Sequence, residues 1–152
     1  MPAADRVRQS TQSDVNRRLD QERLQRVTEL ANASPETLTS HIEELDREWD
    51  VERVLEANAS TLILISLGLS RWHSRKWLIL AALVPAFLLQ HALQGWCPPI
   101  EVIRRLGVRT RKEIDVERHA LKALRGDFGG LDSSSEEPDA LAQAAIEAAE
   151  RA

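Results

Sequence analysis

The segment from Trp77 to Cys97, WLILAALVPAFLLQHALQGWC, contains no Asp, Glu, Lys or Arg over 21 residues. A helix rises about 1.5 Å per residue, so this segment would be ~30 Å long as a helix, about the thickness of a bilayer's hydrocarbon core. A tryptophan lies near each end, Trp77 and Trp96, and tryptophan is favoured at membrane–water interfaces. The segment therefore predicts a membrane-spanning helix.

A second apolar block, at about residues 54–70, precedes this segment. Its charge-free part, Ala57 to Ser70, has 14 residues, fewer than the ~17–25 residues of an ordinary membrane span. The connection Arg71 to Lys76, RWHSRK, is short enough to join two antiparallel helices. The predicted fold class is therefore all-α: a membrane helical hairpin of two apolar helices, at about 54–70 and 77–97, with flanking amphipathic helices.

The chain has four tryptophans, and all of them lie near the ends of the two apolar blocks. This distribution favours a membrane, where tryptophan rings lie at the level of the headgroups. The alternative is that they are ordinary core residues of a soluble helical bundle. The predicted membrane-interface anchors are Trp49, Trp72, Trp77 and Trp96.

The composition argues against several classes of function. The net charge is −4, the pI is about 5.6, and there are two Phe and no Tyr, so no basic or base-stacking surface for nucleic acid is expected. The one cysteine cannot form an internal disulfide, and the four histidines are too scattered for a four-ligand zinc site. We expect no metal, no cofactor and no nucleic acid partner. The polar first 50 residues also lack the apolar core of a secretory signal.

The N-terminal segment, 1–33, is expected to be a polar arm, disordered to about residue 12 and partly helical after it. Ser34 and Pro35 then predict a new helix, because serine caps helices and proline suits the first helical position. No further Pro or Gly occurs before Gly68. We therefore expect one continuous helix from Pro35 into the first apolar block.

The C-terminal part contains Thr110 and Glu113 at the spacing of a capping box, which predicts a helix from about Arg111. The apolar side chains of this helix are Ile114, Leu121, Leu124 and Phe128. They either lie on an anionic membrane surface or pack against the N-terminal helix.

Segment 34–128 is the predicted two-helix membrane domain with its flanking helices. Segment 129–152 is expected to be a flexible acidic tail that can form one short helix.

The distribution of lysine and arginine near the span ends sets the orientation of a membrane protein. The connection between the blocks has three such residues and the outer flanks have seven. This bias predicts a multi-pass protein with both termini in the cytoplasm. The basic residues predicted on the surface after the second block are Arg104, Arg105, Arg109, Arg111 and Lys112.

Two groups of side chains are candidates for chemistry in or beside the second block. Cys97, the only thiol, is a candidate catalytic or sulfur-carrying nucleophile if nearby arginines favour its thiolate. The simpler interpretation is a structural cysteine at the membrane interface. An ionisable residue inside the apolar run, such as His91, predicts a functional or pairing role. The residues predicted to make polar contacts within the hairpin are His91, Gln90, Gln94 and Asn58.

Three stretches lie between about Leu45 and Phe128: EWDVERVLEANAS, FLLQHALQGWCPPIEVIRRLGVRT and EIDVERHALKALRGDF. Mainly through the GWCP step and the later LGVRT, they resemble the YgaP-like transmembrane domain family, small bacterial inner-membrane domains of unknown function. The resemblance implies a two-helix hairpin in a bacterial inner membrane. Some relatives are fused to a rhodanese domain, whose loop needs an arginine five residues after its cysteine. This sequence has Val102 there, so that activity is not expected.

The expected function is that of an integral inner-membrane protein of unknown biochemical role, a non-catalytic anchor or scaffold rather than an enzyme. Its expected partners are the lipid bilayer, further copies of the chain in a homo-oligomer, or a membrane or cytoplasmic protein. One alternative is a membrane thiol or sulfur-relay protein that uses Cys97. The other is a soluble helical interaction module.

Overall fold

The computed structural model describes residues 3–127 and 138–151, and every regular element in these ranges is an α-helix. The all-α part of the predicted fold class is therefore confirmed. The helices, numbered in chain order, are α1 (Ala3–Ser10), α2 (Ser13–Leu30), α3 (Pro35–Arg47), α4 (Val51–Trp72), α5 (Trp77–Gln94), α6 (Pro98–Arg105), α7 (Arg111–Arg125) and α8 (Pro138–Arg151).

The helices divide into two compact units, each built from two separate pieces of the chain. The first unit joins Met1–Val15 to Trp49–Thr110 and contains α1, α4, α5 and α6. The second joins Asn16–Glu48 to Arg111–Ala152 and contains most of α2 together with α3, α7 and α8. These boundaries differ from the predicted segments 1–33, 34–128 and 129–152, because helices far apart in the sequence pack together.

The expected continuous helix from Pro35 into the first apolar block is interrupted: α3 ends at Arg47 and α4 begins at Val51. Asp50 has extended backbone angles, and its side chain accepts a hydrogen bond from the Arg53 amide at 2.8 Å. The Val51 amide donates to the Arg109 carbonyl at 3.0 Å. Side-chain capping of this kind satisfies an N–H group that has no partner within the helix. The chain therefore starts a new helix here without a proline or glycine.

Helices α4 and α5 pack against each other as an antiparallel pair, joined by His73–Lys76. The start of α4 and the end of α5 meet, so that Leu55 and Leu88 line the same cavity. The buried residues of α4 beyond Leu55 are Ala59 and Ser66. Both are small, and small residues allow two helix backbones to approach closely.

Helix α5 is the one helix within residues 3–127 and 138–151 that is long and apolar enough to cross a membrane, judged by length and composition. Its mean hydropathy is 1.6, and none of its residues is buried inside the protein. At 18 residues it is about 27 Å long. Pro85 lies within this helix, which is continuous on both sides of it. A second span along α4 stays a prediction.

The second unit has its own apolar core, to which all four of its helices contribute. From α7, Ile114 and Leu121 are almost fully buried, and Leu124 packs against the same cluster. The apolar side of α7 is therefore covered by protein. Phe128, predicted to continue it, lies outside the described residues. The residues of the core from the other helices include Val27, Leu38, Ile42, Leu45, Ala142, Ala145 and Ile146.

Ion pairs join the helices of the second unit around this core. Arg26 of α2 donates two hydrogen bonds to Glu117 of α7, from Nε at 3.0 Å and from Nη2 at 2.9 Å. Arg118 of α7 donates to Asp46 of α3 at 2.8 Å. A two-pronged arginine–carboxylate pair adds orientation as well as energy, so the Arg26–Glu117 pair defines how α2 lies on α7.

Candidate functional site at the end of the apolar helix

The chain leaves α5 through a sharp turn at Gly95. Its φ of 73° lies in the left-handed region, and its amide donates to the His91 carbonyl at 2.7 Å. A left-handed residue after a helix satisfies a terminal carbonyl, and glycine adopts that conformation without a Cβ penalty. Cys97 then returns to extended geometry, and Pro98 and Pro99 begin α6. The sequence here combines a helix stop with an immediate helix start.

Helix α1 docks on this turn. Val7 is fully buried in a cluster with Val51, Leu55, Cys97 and Ile100. The guanidinium of Arg6 donates from Nη1 to the Leu93 carbonyl at 3.3 Å. A Cβ atom at Gly95 would lie 2.4 Å from Cβ of Arg6, which no packed structure accommodates. Gly95 thus also allows close contact with α1.

The expectation that residues up to about 12 are disordered is therefore wrong for the described part of that segment. Residues Ala3–Ser10 form a helix, in which Gln9 and Ser10 are exposed and Arg6 contacts the turn after α5. One apolar residue, Val7, anchors it through long-range packing. A single valine in a charged octapeptide gives no periodic pattern that would reveal this contact in the sequence.

An apolar cavity of about 430 Å³ lies between α4, α5 and α6. Its walls include Leu55 and Ala59 from α4, Leu88 from α5 and Ile103 from α6, with Cys97 at the turn. Asn58 is the one amide among the residues that line it. Pockets for small molecules have volumes of ~300–1,000 Å³ and mostly apolar walls, so this cavity has the size and character of a binding pocket.

The Cys97 thiol is 1% exposed, in contact with the apolar cluster of the first unit. This residue lies beyond the end of α5, and burial raises the pKa of its thiol, against a smaller opposing effect of a hydrogen bond with the Ile100 backbone. The nucleophile in thiol chemistry is the thiolate. The surroundings of Cys97 therefore favour a neutral, structural thiol over a reactive one.

The hydrogen bonds of Asn58, Gln90 and Gln94, which were predicted to make polar contacts within the hairpin, lie within single helices. Asn58 donates to the Val54 carbonyl of its own helix at 2.8 Å, and Gln90 donates to Gln94, also within one helix, at 3.5 Å. His91 is partly buried, and its Nδ1 has no hydrogen-bond partner. Of the four, Asn58 faces the cavity.

The four predicted interface anchors differ in exposure. Trp72 is 84% exposed at the end of α4, whereas Trp77 is partly buried and lies edge-on to His73 with ring centroids 6.5 Å apart. Trp49 and Trp96 are partly exposed, and the guanidinium of Arg53 lies 4.5 Å from the centroid of the Trp49 ring. Trp49 and Trp96 belong to the end of the helix pair that holds the cavity. Trp72 and Trp77 belong to the opposite end.

The predicted surface-basic set requires a correction. Arg104 is fully buried and Arg109 is 7% exposed. Arg104 Nη1 donates to the Val108 carbonyl at 3.1 Å, which holds the turn after α6 closed, and the Arg109 carbonyl accepts from the Val51 amide. The basic residues of the set that are exposed are Arg105, Arg111 and Lys112.

Val7, Gly95 and Arg104 are the residues of this site whose roles the sequence did not reveal. A glycine before Trp-Cys-Pro-Pro is a recognisable helix-stop signal. The buried arginine has no local signal, because its partner carbonyl comes from the fold of the following turn. Among the described residues there is also no group of three or more His, Cys, Asp or Glu side chains placed to hold a metal ion.

A scan against protein-family models finds no match, and searches of the curated proteins and of the solved structures find none either. The resemblance to the YgaP-like transmembrane domain family therefore stays a prediction from the sequence.

Proposed function

We propose that this chain is an integral protein of a bacterial inner membrane that anchors or scaffolds a partner and is not an enzyme. In this proposal α4 and α5 form a two-helix membrane hairpin, as the resemblance to the YgaP-like family implies. The observation that carries the proposal is the exposure of α5, an 18-residue apolar helix with none of its residues buried inside the protein.

Several large apolar side chains of α4 and α5 are covered by no other part of the described chain. Leu64 of α4 and Ile79 and Leu93 of α5 are each 70% or more exposed. Removing apolar surface from water contributes roughly 25 cal/mol per Å². An apolar core helix of a soluble protein would be covered by its own fold. The hydrocarbon of a bilayer supplies the same cover here.

Orientation follows from the distribution of positive charge. Three basic residues, Arg71, Arg75 and Lys76, lie in or beside the connection between α4 and α5, against seven on the outer flanks. Cytoplasmic flanks of membrane proteins carry the excess of lysine and arginine. The proposal therefore has both termini, and with them the second unit, in the cytoplasm.

The scaffold role belongs to the second unit in this proposal. Its four helices bury their apolar sides in one core and leave polar surface outside.

Self-association of the membrane part is a further element of the proposal. On an exposed side of α5, Ala82 and Ala86 leave a shallow depression beside Leu78, Ile79 and Leu83, which another apolar helix can contact closely.

The sulfur-relay alternative has less support, because Cys97 is buried and its thiol pKa is raised. The soluble-module alternative predicts a protein that is well behaved without detergent. Neither alternative has an observation of its own that favours it over the membrane anchor.

Fractionation of cells that express the full chain tests the proposal. The wild-type protein is expected in the membrane fraction after a carbonate wash and in solution only after detergent is added. Ile79→Arg with Leu83→Arg places two charges on the exposed side of α5 and should release the protein or prevent its accumulation.

The matched control is Gln25→Arg with Ala144→Arg, which adds the same charge at exposed positions of the second unit and should stay in the membrane fraction. Recovery of the wild-type protein in the soluble fraction would overturn the proposal. Crosslinking in mild detergent tests self-association, and a protein that is only monomeric there would contradict that element alone.

A further inference from the structure

We propose that the cavity between α4, α5 and α6 binds one hydrocarbon chain of a membrane phospholipid. The inference rests on the proposed membrane location and adds a ligand site to it. Its starting point is the cavity itself, which has a volume of about 430 Å³ and belongs entirely to the first unit.

The walls determine the chemical class of the ligand. Of the fourteen residues that line the cavity, twelve have purely hydrocarbon side chains. The two others are Asn58, whose amide nitrogen already donates to Val54, and Cys97, whose thiol is buried and neutral. A polar or charged ligand would lose its hydration here without gaining partners. A hydrocarbon chain makes no hydrogen bonds to water, so it loses no hydration of polar groups when it enters the cavity.

The rim determines how such a chain reaches the cavity. Leu62 of α4, Val102 of α6 and Leu106 after it line the cavity and are also exposed. Ile65 of α4, one helical turn from Leu62 and on the same side of the helix, is exposed as well. The apolar surface that the proposal places against lipid therefore reaches the rim of the cavity through Leu62.

The competing occupants fit less well. A helix of a partner protein is about 10–12 Å across with its side chains, too wide for a cavity of this volume to enclose. Water is a poor occupant, because apolar cavities stay dry when they offer too few hydrogen-bond partners. Inside a bilayer, phospholipid chains are the most concentrated hydrocarbon, and mass action favours them over any scarce apolar molecule.

The position of the cavity suits a chain whose headgroup stays at the interface. The cavity lies at the end of the α4–α5 pair where the chain leaves α5 through Gly95–Cys97. Trp49 and Trp96 belong to the same end, and tryptophan rings mark the level of the headgroups. A lipid in the adjoining leaflet thus needs only to bend one chain inward.

Photocrosslinking of the full-length protein in phospholipid vesicles tests the proposal. The vesicles contain a phosphatidylglycerol that carries a diazirine in one acyl chain, and the crosslinked peptides are identified by mass spectrometry. Crosslinks are expected at Leu55, Leu88 or Ile103 in the cavity wall. Crosslinks are also expected at Ile79, on the outer side of α5, which reports ordinary contact with the bilayer.

Two substitutions should remove the cavity crosslinks while leaving those at Ile79. Ala59→Phe fills the cavity from a buried position, and the crosslinks should fall by about tenfold because the ring occupies the space of the chain. Leu62→Trp narrows the rim from a partly exposed position, so it does not depend on fitting a larger residue into the packed interior. Ala92→Phe, at an exposed position of α5 that lines neither the cavity nor the depression at Ala82 and Ala86, is the matched control and should leave all crosslinks in place. Circular dichroism confirms that each variant is helical.

The outcomes separate this inference from the proposed function. Crosslinks at Ile79 without any in the cavity wall would overturn the lipid site and leave the membrane location standing. An absence of crosslinks at both places would overturn both. Cavity-wall crosslinks that persist in Ala59→Phe and Leu62→Trp would show that the chain lies elsewhere, and the lipid site would be wrong.

Discussion

At the scale of single residues, Gly95 combines two requirements that are usually met separately. Its φ of 73° needs a residue without Cβ strain, and Arg6 of α1 occupies the space where a Cβ would lie. Gly107 has a φ of 92° but nothing within 4 Å of a built Cβ. A substitution at Gly107 therefore costs backbone strain alone, whereas a substitution at Gly95 also disturbs the contact with α1.

The first prediction compares Gly95→Ala with Gly107→Ala. Each should lose about 1–2 kcal/mol through the left-handed backbone conformation. Gly95→Ala should in addition displace α1 and lower its local stability. Trypsin should then cleave after Arg6 and Arg8 several-fold faster than in Gly107→Ala, because a less stable segment opens more often. The measurements are denaturant unfolding in detergent and the rate of tryptic cleavage. Equal cleavage rates in the two variants would show that α1 does not dock on Gly95.

A second prediction at this scale concerns Asp46. The hydrogen bond from Arg118 holds the pKa of this carboxyl below the ordinary value of an aspartate. A lowered pKa in the folded state means that the ionised form stabilises the fold above the unfolded pKa. This stabilisation is lost as the pH falls through the lower folded pKa.

The free energy of unfolding of the second unit should therefore decrease on acidification below about pH 4. Asp46→Asn removes the titrating group, and its unfolding free energy should change less over the same range. The effect is small because the Asp46 side chain is half exposed to solvent. Urea unfolding followed by circular dichroism between about pH 5 and pH 2 measures it. Identical pH profiles for the two proteins would contradict the role of this pair.

At the scale of secondary-structure elements, α8 shows how weak local signals acquire a defined position. Its sequence, PDALAQAAIEAAER, is rich in alanine and offers few large apolar side chains. In the fold, Ala142 and Ala145 are fully buried and Ile146 nearly so, in the core that α7 also lines. Small side chains allow α8 to approach α7 closely, so backbone contact replaces the burial of large residues.

The third prediction tests this packing. Ala145→Asp places a carboxylate in the core and should destabilise the second unit by about 3 kcal/mol or more, because a buried polar group without partners loses its hydration. The matched control is Ala144→Asp, at an exposed neighbouring position, which should change stability by less than about 0.5 kcal/mol. Urea unfolding measures both. Similar losses in the two variants would indicate that α8 does not pack in this orientation.

The start of α4 shows, also at the scale of elements, how one capping residue separates two helices. Asp50 ends the apparent continuity between α3 and α4 by capping the new helix. Aspartate is a common N-cap residue. The prediction of a continuous helix depended on the absence of proline and glycine and gave no weight to Asp50. The start of α7 at Arg111, by contrast, is confirmed, because the capping-box spacing of Thr110 and Glu113 is a local signal.

At the scale of the whole molecule, the chain passes from the first unit to the second, returns to the first, and then enters the second again. Residues 16–48 and the segment from Arg111 onward, although far apart in the sequence, form one unit between them. If α4 and α5 span the membrane as proposed, both pieces of the second unit lie on the same side of it. The topology of the hairpin and the assembly of the second unit are therefore consistent with each other.

The fourth prediction concerns this topology. In a Cys97→Ser background, Ser74→Cys places a thiol in the connection between α4 and α5. A membrane-impermeant maleimide should label it in spheroplasts, because the connection is expected outside the cytoplasm. Ser40→Cys, at an exposed position of α3, is the matched control and should react only after the membrane is permeabilised. The reverse labelling pattern would invert the proposed orientation.

The sequence by itself determined the properties that neighbouring residues share. The uncharged apolar segment that became α5, the all-helical class and the start of α7 each follow from hydropathy or capping within one stretch of chain. Only the tertiary structure decided which polar-looking segments pack. It buried Val7, placed α1 against Gly95 and covered the apolar side of α7. It also formed the cavity beside Cys97. These features depend on partners distant in the sequence, and no local pattern records where the partner of a side chain will lie.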